Sequence, residues 1–238
     1  DTARGAYYDR SQTPGYLEPR RIISDQWRIS SESVPDPQYV TVRYTIHTPK
    51  KALTTVLQSN EHTTWVSERL IKDPGDIEIV AAFAPAPQCD VAAVNAISAS
   101  TGERAMIRGT IVCFDLYGQP GCWQDASVLF GIEDLILATY DDPEWVHAFL
   151  KILLARKMTF VDSLRGAEFD VLELGGGDAS STVISPKVFD AFVAPYDEQV
   201  IDRAHAVGQR IVYHTCGGMM PFLERLADMG PDAMETFT

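Results

Sequence analysis

The sequence predicts an α/β fold built on a parallel sheet, and two observations carry that expectation. From Asp73 onward, short apolar runs of strand length, AMIRGTIVCF (105–114), FDVLEL (169–174), RIVYH (210–214) and AMETF (233–237), alternate with helical segments. Strands buried on both faces and joined through helices are the pattern of a parallel sheet. Before Asp73 the pattern differs: YVTVRYTIHTP (39–49) alternates with period two between the turn-rich pieces SQTPGYLEP (11–19) and SSESVPDPQ (30–38), which reads as strands and hairpins. Residues 1–72 are therefore expected to form a strand-rich and hairpin-rich cap, and residues 73–238 the α/β body.

Each element of that body has a local reason. Short helices are expected over 74–82 and 88–101, followed by the strand in 105–114. Asp115 and the glycine-rich LYGQPGCW (116–123) close that strand, and QDASVLFG and IEDLILATYDD continue as helical pieces. Pro143 suits the first turn of a long helix over 143–165, where Trp145, Phe149, Ile152, Leu153, Arg156 and Phe160 recur at three- and four-residue spacings. FDVLEL ends at Gly175, Gly176 and Gly177. Ser185 is a natural N-cap with Pro186 behind it, and an apolar stripe from Phe189 to Val207 runs to the stop at Gly208. After RIVYH come a glycine turn, a helix over 219–229 and the last strand. The sequence halts at a strand whose open edge needs cover, so the chain is expected to be a fragment or to be completed elsewhere.

Composition excludes several function classes. The 238 residues are 45% hydrophobic, enough for a sizeable core, and 20 basic against 33 acidic residues give a net charge of −13. That balance disfavours nucleic acid and anionic membranes as partners. No run approaches a membrane span and the opening DTARGAYYDR lacks the apolar core of a signal peptide. Four scattered cysteines fit a reducing compartment, so a cytoplasmic protein is expected.

The residues most suited to chemistry sit at strand ends. In RIVYHTCG, His214 and Cys216 are two apart and share a face, so an imidazole and a thiolate lie side by side, a donor pair suited to zinc. A packed histidine beside an inert cysteine is the plainer alternative. Glu235 on the next strand is a third ligand, a group that orients His214, or the polar tip of the strand. Glu173 stands in an apolar strand, where a carboxylate needs a partner; a strand-end salt bridge would satisfy it. Asp178 follows the three glycines in a loop able to face a ligand or simply to turn. Asp115 and Tyr117 are expected at the same mouth, and Trp123 is either a platform for a flat cofactor or plain packing.

The string SPKVFDAFVAPYDEQVIDRAHAVGQRIVYHTCG (185–217) resembles the uroporphyrinogen decarboxylase superfamily, and within it the corrinoid-dependent methyltransferase branch. VLELGGGDAS (171–180), the segment 117–150 and GPDAMETFT (230–238) support the likeness, with a looser one at 42–55 and 70–78. The resemblance implies a (β/α)₈ TIM barrel, incomplete in this chain, with its site at the C-terminal mouth. It also implies that His214 and Cys216 hold zinc, with a further cysteine ligand expected beyond residue 238.

Three functions follow as expectations. The first is a zinc-dependent methyltransferase moving a methyl group between a small thiol, methoxy or methylamine compound and a corrinoid (cobalamin) on a partner protein. In it Asp178, Glu173 and Glu235 act as catalytic groups, and Asp115, Tyr117 and Trp123 contact the cofactor. The second is a metal-free lyase that decarboxylates its substrate; the segment around MIRGTIVCF offers no match to the substrate-binding residues of true decarboxylases. The third is a non-catalytic module whose open barrel is covered by a second copy or a second chain.

Overall fold

Two hydrogen-bonded sheets organise the chain in the computed structural model, which describes residues 24–112, 114, 116 and 118–236. The first is an antiparallel meander of β1 (Arg28–Val34), β2 (Val40–His47), β3 (Ala52–Ser59) and β4 (Thr64–Glu68), paired in sequence order. Its alternation works as expected: Ile46, Leu53 and Leu57 share one face and are buried, while charged partners such as Arg43 and Glu32 meet in the exposed cross-strand register.

The second sheet is parallel, in the order β5 (Arg108–Thr110), β6 (Val171–Gly175), β7 (Ile211–His214) and β8 (Ala233–Glu235). Leu172 and Leu174 of β6 and Ile211 and Tyr213 of β7 are fully buried against the helices. The helices are α1 (Asp76–Phe83), α2 (Val91–Thr101), α3 (Cys122–Phe130), α4 (Ile132–Asp141), α5 (Pro143–Asp162), α6 (Ala194–Ala206) and α7 (Leu223–Asp228). Caps fix where several begin. Asp142 accepts a hydrogen bond from the Trp145 amide ahead of Pro143, and Ser185 accepts one from the Val188 amide ahead of Pro186.

Several elements depart from the sequence expectation. Residues 30–34 of the turn-rich SSESVPDPQ belong to β1, and the helix expected over 219–229 is a 3-10 turn at Met220–Phe222 followed by α7. The run 105–114 forms a strand only over Arg108–Thr110. The Ile111 amide still pairs with Glu173, but the Val112 amide turns back to the Thr110 carbonyl and the chain leaves the sheet. Phe114 then packs under the Arg156 guanidinium, 4.3 Å from its ring centre. The segment after Ser185 is also not one regular helix: a short turn, Pro186–Val188, is followed by a π-helical stretch, Phe189–Val193, before α6. Pro195 explains it, because a proline lacks the amide that an α-helical ladder needs and crowds the carbonyl four residues back.

Behind the parallel sheet lies a buried polar cluster. Lys157 of α5 pairs with Asp125 of α3 at 2.7 Å, both essentially without exposed surface, and its ammonium also donates to the Gln119 carbonyl. Nearby, Asp197 of α6 accepts from the Tyr213 hydroxyl at 2.7 Å and from the Cys122 amide. Burial pushes the Asp197 carboxyl up to about 6 and the Tyr213 phenol upward as well. Among the described residues no helix is long and apolar enough to cross a membrane.

Two predictions follow from this cluster. Lys157→Ala removes the counter-ion of the buried Asp125 carboxylate, so a loss of about 3–5 kcal/mol in urea unfolding is expected; a loss under about 1 kcal/mol would show that Asp125 does not need Lys157 to stay buried. Asp197 has a folded-state value above its ordinary 3.8, so the folded protein binds the extra proton between those limits. Its contribution is present below pH 3.8 and is lost as the pH rises to about 6. Unfolding midpoints measured across that window should fall with pH more steeply in the wild type than in Asp197→Asn, and parallel profiles would refute the assignment.

Candidate functional site

The face of the parallel sheet turned away from the helices carries the polar residues. Strand alternation puts Arg108, Glu173, His214 and Glu235 on it, and the register sets Gly175 opposite His214 and His214 opposite Glu235. Arg108 reaches across from β5. One guanidinium nitrogen donates to Glu235 Oε2 at 2.8 Å, and the other donates to Glu173 Oε2 at 2.7 Å and closely to Glu235 Oε1. Forked, charge-assisted bonds of this kind fix geometry as well as charge. The bond from Arg108 is the main cause that holds the Glu235 carboxyl below its usual range, and the bond to Glu235 in turn raises Arg108.

Glu235 also sets the state of His214. Its Oε1 lies 2.8 Å from His214 Nδ1, and since a carboxylate only accepts, Nδ1 carries the hydrogen. That assignment leaves the Nε2 lone pair facing Cys216 Sγ, 2.8 Å away, with the thiol as donor. Thr236 Oγ1 stands 3.2 Å from the same Nδ1. Burial first, then the negative charges of Glu173, Asp178 and Glu235, push the Cys216 thiol upward. A thiolate here therefore needs a cation beside it.

The backbone is strained at this point. Among the described residues, Cys216 (φ 55°) and Thr236 (φ 70°) are the non-glycine residues in the left-handed region, and both touch His214. Each such conformation costs about 1–2 kcal/mol. Cys216 is followed by Gly217 at φ 101° and Gly218 at φ 62°, so the strand end curls back in three left-handed steps. The glycine loop after β6 lies over the curl: a Cβ on Gly177 would stand 3.1 Å from Cys216 Sγ.

The donor chemistry fits a thiophilic ion. His214 Nε2 and Cys216 Sγ form a nitrogen and sulfur pair with no other hydrogen needed on Nε2, and a tetrahedral zinc would need them about 3.5 Å apart, a small opening from hydrogen-bond contact. A second grouping exists: ligand atoms of Glu173, His214 and Glu235 all lie within 4.8 Å of one another. Arg108 already engages both of its carboxylates.

The other expected residues divide. Asp178 is held rigidly by α3: its Oδ2 accepts from Gln124 Nε2 at 2.9 Å and from Ser127 Oγ, its amide donates to Gln124 Oε1 at 2.7 Å, and its carbonyl accepts from Trp123 Nε1 at 3.0 Å. Trp123 has no exposed surface. It offers no face to a flat ligand and instead braces Asp178 from behind, packing against Phe192. Asp115 and Tyr117 lie outside the described residues. Sequence reasoning missed Arg108, Gln124 and Thr236. Arg108 had a legible signal, since a lone arginine in the apolar run AMIRGTIVCF demands an anionic partner. Gln124 and Thr236 had none.

The comparisons with known proteins agree with this architecture. No curated protein matches the chain. Solved structures with the same fold include a methyltransferase from Methanosarcina mazei, with a TM-score of 0.57 and 19% identity, covering 73% of this chain and 49% of that one. The chain thus spans about half the length of that protein, and at this identity the likeness speaks for the fold. The family model of uroporphyrinogen decarboxylase (URO-D) matches residues 43–236, nearly the whole of the described structure, and the chain belongs to that family.

Proposed function

We propose that this chain carries the metal-binding half of a zinc-dependent methyltransferase, which moves a methyl group between a small substrate and a corrinoid held by a partner protein. The observation that carries the reading is the His214 and Cys216 pair, aimed at one another at the end of β7 with Cys216 in a left-handed conformation. A cysteine kept where glycine would be unstrained indicates that its sulfur is required there. The family and the fold shared with a methyltransferase support the same reading. So does the sheet, whose four consecutive parallel neighbours have the order of strands in a (β/α)₈ barrel.

In this reading His214 Nε2 and Cys216 Sγ hold the zinc, with a further protein ligand contributed from outside the described residues. The ion's contribution, when bound, is to stabilise a substrate thiolate or to polarise the methyl-bearing atom. Glu235 orients His214 through Nδ1, Arg108 anchors Glu235, and Glu173 and Asp178 place negative charge beside the sulfur. Asp178, with one oxygen fixed by Gln124 and Ser127, positions a substrate or a proton at the mouth. Asp115 and Tyr117 are proposed as corrinoid contacts on the sequence reading alone, and the net charge of −13 favours a partner that presents a basic rim.

Decarboxylation is the second reading, favoured by the family name. It needs a free cationic group for the substrate carboxylates, whereas Arg108 on this face is bound to two glutamates.

Metal analysis and activity separate the readings. The full-length protein should hold zinc, and Cys216→Ser and His214→Ala should each lose it together with methyl transfer to or from cobalamin. The circular dichroism spectrum should stay unchanged. Full activity in metal-free protein, or release of carbon dioxide from a carboxylated substrate, would overturn the proposal. Glu235→Ala should weaken zinc binding by about 10–100-fold, because it removes the acceptor that fixes the His214 tautomer; unchanged affinity would show that Glu235 plays no part in holding the ligand.

A further inference from the structure

We infer that Arg108 determines the metal preference of this site, acting as a built-in cation that keeps Glu173 and Glu235 out of the coordination sphere and leaves His214 and Cys216 to a thiophilic ion. The inference rests on the metal reading above and goes beyond it, since it concerns which ions the site refuses.

The same face offers two donor sets that share His214. One is Nε2 with Cys216 Sγ, at 2.8 Å. The other is Glu173, His214 and Glu235, with ligand atoms within 4.8 Å of one another. Two carboxylates and one imidazole form an oxygen-rich set that takes hard ions such as Mn²⁺ or Mg²⁺, whereas nitrogen with thiolate favours Zn²⁺ or Co²⁺. The two carboxylates need a positive charge between them, because paired anions in a half-buried site repel. Arg108 supplies it. Its fork takes both oxygens of Glu235 and one of Glu173, and Glu235 Oε1 is further occupied by His214 Nδ1. The second hydrogen bond turns His214 so that Nε2, the nitrogen with the free lone pair, faces the sulfur. Arg108 therefore acts twice. It fills the place of a hard cation, and through Glu235 it points His214 at the soft site.

A lysine keeps the charge but not the fork, and glutamine keeps a hydrogen-bonding end without the charge. Removing the charge leaves Glu173 and Glu235 without their cation, and a hard ion then replaces it.

The experiment uses full-length protein stripped of metal and titrated separately with Co²⁺ and Mn²⁺. Co²⁺ is read by its thiolate charge-transfer absorption, and Mn²⁺ by the loss of the free-ion paramagnetic resonance signal. Wild type should show the thiolate band and negligible Mn²⁺ uptake. Arg108→Gln should gain Mn²⁺ binding by at least about tenfold and lose Co²⁺ affinity by about 10–100-fold, the size of effects seen when outer-shell partners are removed. Arg108→Lys should stay closer to wild type. If Arg108→Gln does not fold, Arg108→Lys tests the same idea: with the charge kept and the fork lost, it should bind Mn²⁺ no better than wild type and lose only part of the Co²⁺ affinity. An unchanged Mn²⁺ to Co²⁺ preference in Arg108→Gln, or Mn²⁺ uptake by Arg108→Lys as strong as its Co²⁺ uptake, would overturn the inference while leaving the metal site standing. A wild type without the thiolate band would overturn the metal reading itself, and the inference with it.

Discussion

One guanidinium ties the inner face of the parallel sheet together. Arg108 starts on β5, meets Glu173 on β6 and ends on Glu235 on β8, with His214 of β7 bonded to the same carboxylate. All four strands of the sheet are therefore linked by side chains as well as by backbone. The constraint explains why a short strand suffices at β5. Only Arg108–Thr110 pairs with β6, yet the position of Arg108 is fixed by three hydrogen bonds at its far end. Four ionisable groups on one half-exposed face contribute little stability by themselves, since water screens them. Their value is positional, because a fork, two carboxylates and an imidazole admit few alternative arrangements.

The backbone beyond β7 depends on that arrangement. A chain leaving a parallel strand normally turns through glycine, and Gly217 and Gly218 are available for it. Cys216 nonetheless takes the first left-handed step itself. Gly177 leaves room for its sulfur, and Gly175, at φ 95°, lets β6 end with its carbonyl accepting from the Gly121 amide, at a place where a Cβ would collide with the His214 carbonyl. The glycines of VLELGGGD thus act as clearance around a cysteine and a strand end rather than as a phosphate loop, and Asp178 behind them is braced by Gln124, Ser127 and Trp123.

The sequence made much of this legible, and the limits have physical causes. Parallel strands were visible because the face against the helices is fully buried at Leu172, Leu174, Ile211 and Tyr213, so short apolar runs stand out, and helix starts were visible because Asp142 with Pro143 and Ser185 with Pro186 are local signals. The His214 and Cys216 pair was visible because period two places them together on one face. Long-range partners were not. Glu173 was known to need a counter-ion, but Arg108 lies 65 residues away and only the sheet brings them together. Trp123 looked the same whether packed or open, and its burial depends on α3 lying against the loop after β6. The π-helical stretch before Pro195 was hidden for another reason. An apolar stripe from Phe189 to Val207 survives one inserted residue, so periodicity alone does not reveal the irregular turn.

Arg108 also bears on the choice between the two chemistries associated with this family and fold. A decarboxylase must hold carboxylates with cations that are free before substrate arrives, and pre-paired guanidinium is costly to recruit because its partners are then left unpaired in a half-buried site. A methyl-transfer site has the opposite need. It must keep a sulfur, here a thiol shifted upward by burial and neighbouring anions, ready to give up its proton only when a soft cation comes. Negative charge around Cys216 attracts that cation, and Arg108 prevents the same charge from trapping a hard one. Under the proposed methyl-transfer function, the residues on this face meet the second need.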